Sequence, residues 1–212
     1  MTFGSRQTLS LSLAAAILAG GLAAAPRAAP AAATAADPAA AQIEAFDAQL
    51  IDVMKQGKSL GIQGRYRKLE PVVARTFDTG IMVRFAVGPT WSTIPEAQQT
   101  ALHEAFNRLT VASFAHNFDG YSGQSFQVNP NVVTRGPDKV VQTTLVSPHD
   151  SPVSIAYRMR QSGGTWKIID VFYNGAISQL TTRRADFQST LQQGGPAALV
   201  THLNALVDKQ LK

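Results

Sequence analysis

Residues 124–173 read as short strands separated by tight turns, and no other stretch narrows the possible folds so sharply. Val153, Ile155, Tyr157 and Met159 interleave with Ser154, Ala156, Arg158 and Arg160, the pattern of a sheet with one covered face. Turn chemistry divides the stretch at Asn129-Pro130, Gly136-Pro137-Asp138, Pro148-His149-Asp150-Ser151 and Ser162-Gly163-Gly164. The spacing predicts four or five short antiparallel strands over 125–128, 131–135, 139–147, 153–161 and 165–173.

Helical signals flank this meander on both sides. Asp37-Pro38 opens a helix whose buried face is Ile43, Phe46, Leu50 and Val53, ended by Gln56-Gly57-Lys58-Ser59. A second helix is expected over about 64–77, with Pro71 either kinking it or setting its first turn. Asp78-Thr79 caps a third, short helix that stops at Gly88-Pro89. Thr93 and Glu96 have the spacing of a capping box for the longest helix, running to about Phe118. Beyond the sharp exit at Asn174-Gly175, Ile177, Leu180, Phe187 and Leu191 mark another helix, broken at Gly194-Gly195-Pro196 before the last one. The class is α+β, an antiparallel sheet packed under a helical layer.

The first residues carry an export signal. Arg6 precedes the apolar run 9–19, and Ala-x-Ala sites follow, so 1–33 is expected to be a cleaved secretory signal peptide and 34–212 a single domain. Without Arg6 and Arg27 the balance is 17 basic against 14 acidic side chains, too mild and too dispersed for nucleic acid. There are no cysteines, so packing alone holds the domain.

Catalytic signatures are missing. His103-Glu104 lacks the second histidine of a zinc-binding helix, and the four histidines have no ligand spacing, so neither metal nor cofactor is expected. Ser125 is not on a nucleophile elbow. Asp170, by strict alternation, shares a face with Trp166, Ile168 and Phe172. If covered, it is a carboxylate with a raised pKa, the type of group that acts as a general base; otherwise the face is wet, or Asp170 pairs with Arg158 or Lys167.

The chain also resembles a known family. Arg65-Tyr66-Arg67-Lys68-Leu69-Glu70-Pro71, Phe77-Asp78, Gly88-Pro89-Thr90-Trp91 and the run 98–106 follow the pattern of MlaC-type periplasmic phospholipid-binding proteins, the toluene-tolerance auxiliary components of ABC transporters. Trp166-Lys167-Ile168-Ile169-Asp170-Val171, Gly175, Phe187 and Gly194-Gly195 continue it. Residues 175–180, Arg183-Arg184 and 194–199 are similar to the hopanoid-biosynthesis-associated HpnM branch.

The resemblance implies a sheet of the nuclear-transport-factor type (NTF2-like) and a non-enzymatic periplasmic carrier of a phospholipid or a hopanoid. It implies partners in an inner-membrane ABC transporter of the MCE type and an outer-membrane lipoprotein complex; a monomer is expected. The candidate cavity residues are Val72, Val73, Phe77, Ile81, Phe85 and Phe106 on the helices. Leu109 joins them from the long helix's apolar stripe, and Leu145, Ile155, Tyr157, Val171 and Ile177 come from the sheet and its exit. Arg84, Arg160 and Arg183 are candidates for head-group contact. An enzyme using Asp170, or a cargo-free adaptor, are the other readings.

Overall fold

A computed structural model describes residues 36–175 and 177–212; the expected leader, 1–33, lies outside the described residues. In chain order the helices are α1 (Pro38–Lys55), α2 (Gly57–Thr76), α3 (Thr79–Val87), α4 (Glu96–Asn117) and α5 (Gln179–Gln210). Between α4 and α5 lie β1 (Ser125–Val128), β2 (Val133–Arg135), β3 (Asp138–Val146), β4 (Val153–Ser162), β5 (Thr165–Tyr173) and β6 (Ile177–Ser178).

The six named strands pair only antiparallel to one another. The path is β1-β3-β4-β5-β6, with β2 beside β3, so the sheet has six strands instead of the expected four or five. The additional strand is β6. Asn174 and Gly175 take φ of 50° and 81°, a tight turn that folds Ile177 and Ser178 back onto Phe172 and Tyr173. Ile177 therefore lies in a strand, not in the helix that its spacing suggested.

Burial follows the alternation. Ile155, Tyr157 and Met159 are buried on the covered face of β4, opposite Tyr173, Val171 and Ile168. Phe46 of α1 fills the space above them, edge-on to Phe77, Phe114 and Tyr157. Helices and sheet thus share one apolar core.

Capping sets the helix starts, as the sequence led us to expect at two of them. The Asp37 carboxylate accepts from the Ala39 amide at 2.8 Å, and that of Asp78 from the Ile81 amide at 2.9 Å. The capping box at Thr93 does not form. Gly88–Thr93 is a 3-10 turn, the Thr93 hydroxyl donates to the Thr90 carbonyl, and α4 starts after Pro95 with no side-chain cap. Helix α2 starts earlier than expected, directly after α1. Its non-helical residue is Gly61, and Pro71 sits within continuous helix. At the α1–α2 corner Gly57 lies so close to the Asp119 carbonyl that a Cβ would stand 2.0 Å from its oxygen; only glycine fits there. Helix α5 breaks at Gly195 (φ 68°, ψ −169°), where the Gly-Gly-Pro signal places it.

Candidate functional site

Strand β5 carries the irregularity that shapes the site. Met159 pairs with Ile168 and Arg158 with Asp170, so Ile169 is an extra residue, a β-bulge. The bulge keeps Ile168 on the covered face and moves Asp170 to the other one. Asp170 accordingly does not share a face with Trp166 and Ile168, contrary to the strict alternation. Past the bulge, Ile168 also receives the incoming chain: its carbonyl accepts from the Asp78 amide at 2.9 Å, which fixes Phe77 against the sheet.

A cavity of about 160 Å³ lies under the roof where β5, α3, α4 and α5 meet. Its apolar lining is Phe77, Met82, Phe106, Phe114, Val171 and Leu180. Successive turns of α4 supply Phe106, Thr110, Ser113, Phe114 and Asn117 as a stripe at the helical repeat. The stripe turns polar toward the α4 C-terminus, where Asn117 is exposed and Ser113 half-buried. Tyr173, Gln179, Arg183 and Gln210 complete the mouth. The lining therefore combines hydrocarbon with hydrogen-bonding groups, which suits an amphiphile. The volume is below the roughly 300–1,000 Å³ of small-molecule sites, so a lipid-sized guest requires the walls to part.

Arg183 is the cation of this mouth. Burial holds its guanidinium below the usual arginine pKa, against the opposing charges of Asp186 and Tyr173. Burial also raises the Tyr173 hydroxyl, an effect that the Arg183 charge reduces.

The cavity brings together Phe77, Phe106, Val171 and Arg183 from the sequence-derived set. Val73, Leu109, Ile155 and Tyr157 lie deep in the core. Val72 borders a separate groove between α1, α2 and the β4–β5 hairpin, beside Phe46 and Lys167. Ile81 and Leu145 are half-buried. Phe85 and Ile177 are exposed, Ile177 by 56%, and Arg84 is exposed on α3. Arg160 is engaged elsewhere, pairing with the Asp138 carboxylate at 2.5 Å on the far face of the sheet, where Arg158 pairs with the same group.

Asp170, on β5, lies against the start of α5. It accepts from the Ser178 hydroxyl at 2.6 Å, the Val171 amide at 2.8 Å and the Leu180 amide at 3.4 Å. Burial raises its pKa, while these bonds and the Arg158 charge oppose the rise. Its contacts are those of a group that anchors the β6–α5 junction.

Met82, Thr110, Ser113, Phe114, Asn117, Tyr173, Gln179, Leu180 and Gln210 line the cavity without having been singled out from the sequence as site residues. Phe106, Thr110 and Phe114 recur at four-residue steps, and a polar residue recurring inside an apolar stripe was the available signal.

Among the described residues no helix is long and apolar enough to cross a membrane. A protein-family model described as "MlaC protein" matches residues 44–205. Among solved structures, a phospholipid-binding protein from Ralstonia solanacearum, determined in complex with a phospholipid, superposes with a TM-score of 0.72 at 20% identity, covering 83% of this chain and 100% of that one. A search of curated protein sequences finds no match.

Proposed function

The chain belongs to the MlaC protein family, and from that membership we propose that it carries a lipid, sheltering acyl chains beneath its helical roof. The observation that carries this reading is the cavity's mixed lining, with Phe77, Phe106 and Val171 as apolar members and Asn117, Gln210 and Arg183 as polar ones. Each methylene withdrawn from water is worth about 0.8 kcal/mol, so two ordinary acyl chains face a cost on the order of 20 kcal/mol in crossing an aqueous compartment unaided. A carrier replaces that water with side chains. In this reading the protein is exported, loses its leader, and works as a monomer in the periplasm between membrane complexes of the inner and outer membranes. The cargo is a phospholipid, with a hopanoid as the alternative.

Native mass spectrometry of freshly purified protein tests the proposal. The expected result is a bound amphiphile that organic extraction recovers and that vesicles replenish. Protein free of any amphiphile, and unable to take one from vesicles, would overturn it.

A further inference from the structure

The mouth of the cavity holds a cation that hydrocarbon alone leaves unexplained. Among the described residues no carboxylate lies within ion-pair distance of Arg183. The acid closest along its own helix, Asp186, accepts from the ring of His202 at 2.8 Å. Other arginines have partners: Arg158 and Arg160 share Asp138, Arg65 donates to two carbonyls, and Arg184 donates to the Phe85 carbonyl. Arg183 is half-buried, and among the described residues the only carboxylate whose charge acts on it, Asp186, is out of ion-pair range and bonded to His202; a bound anion would offset the cost of holding such a guanidinium partly out of water. The same mouth contains a second unsatisfied group, because the Gln210 side-chain oxygen is buried with no hydrogen-bond partner. No aspartate or glutamate borders the cavity.

We infer that the cargo is net anionic: an amphiphile whose phosphate ester sits on Arg183, with hydroxyl groups of its head reaching Gln210 and Asn117. The inference rests on the carrier reading and adds the selectivity. A zwitterionic head would satisfy Arg183 with its phosphate, but its ammonium would meet no carboxylate there and would be repelled by the guanidinium. An uncharged triterpenoid would leave Arg183 unpaired. Arg183 is thus a specificity-determining residue for charge.

The test offers full-length mature protein vesicles of equal parts phosphatidylglycerol and phosphatidylcholine, and measures the bound ratio by native mass spectrometry. Wild type is expected to favour phosphatidylglycerol, and Arg183→Gln to lower that ratio about tenfold, the scale of one charge-assisted hydrogen-bonded pair. Arg183→Lys should retain part of the preference. Because Arg183→Gln removes an unpaired cation, its thermal midpoint is expected to match or exceed that of wild type, which separates loss of selectivity from loss of fold. Equal uptake of the two lipids, unchanged by Arg183→Gln, overturns the inference and leaves the carrier reading standing. Stabilisation by inorganic phosphate without any lipid preference also overturns it, assigning Arg183 to a free anion. No uptake of either lipid removes the carrier reading itself.

Discussion

Arg65 of α2 donates from Nε to the carbonyl of Ala115, 50 residues further on, at 2.8 Å. Its Nη1 donates to the Gly57 carbonyl at 2.9 Å, so one buried guanidinium ties the start of α2 to the last turn of α4. The α4 carbonyl it satisfies belongs to the group that a helix C-terminus leaves without partners.

Arg65→Met should therefore destabilise the fold by about 2–3 kcal/mol, because two buried carbonyls lose a charged donor. The urea midpoint measures this, with an unchanged m-value expected if only the native state is affected.

Filling the cavity should block cargo without unfolding the protein. Ser113 is half-buried on the α4 stripe, and Ser113→Trp projects an indole into the 160 Å³ space. The expected result is loss of vesicle lipid uptake with a stability change under about 3 kcal/mol, the usual scale of overpacking. Native mass spectrometry and a thermal melt on one sample separate the two effects.

Asp47 gives the fold an unusual pH dependence. It is buried on α1, accepts from the Thr143 hydroxyl at 3.2 Å, and its other oxygen has no partner. Burial raises its pKa to about 7; the Thr143 bond opposes the rise, and the nearby Glu44 charge adds to it. The unfolded chain ionises near 3.8 and the folded one near 7, so folding is opposed increasingly as pH climbs between those values. Stability attributable to this group is greatest below about pH 4 and levels off at its lowest above about pH 7. Asp47→Asn should flatten that slope and stabilise the protein at pH 8 by on the order of 1–3 kcal/mol. Urea melts of both proteins across pH 5–8 check it.

Asp170→Ala should detach the start of α5, since the Ser178 hydroxyl and the Leu180 amide both lose their acceptor. A loss of about 2 kcal/mol is expected, with Asp170→Asn milder because its amide oxygen can still accept. Hydrogen exchange over residues 178–183 should quicken in Asp170→Ala before the rest of the domain changes.

Local chemistry was readable in the sequence. The caps at Asp37 and Asp78, the turn at Asn174-Gly175 and the break at Gly195 each depend on a few neighbouring residues. What escaped depends on distant partners. The consecutive Ile168 and Ile169 are both buried, so nothing in their hydropathy marks one of them as the inserted residue of a bulge. Asp170 consequently landed on the wrong face. Thr93 and Glu96 had the spacing of a cap, but the 3-10 turn consumed the Thr93 hydroxyl first. The cavity mixes positions from α4, β5 and both ends of α5, a convergence set by tertiary packing and invisible to periodicity.

The break at Gly195 has a mechanical meaning for the cavity. Gln179, Leu180 and Arg183 border it from one arm of α5, and Gln210 borders it from the other, so a single non-helical residue joins the two lips. Gly57, jammed against Asp119, and the Arg65 clasp pin the opposite jaw, α2 with α4. A rotation of a few degrees at Gly195 would displace the end of an arm of some fifteen residues by ångströms. Gly195 is thus the one place in α5 where the two lips could change their angle without breaking either helical arm.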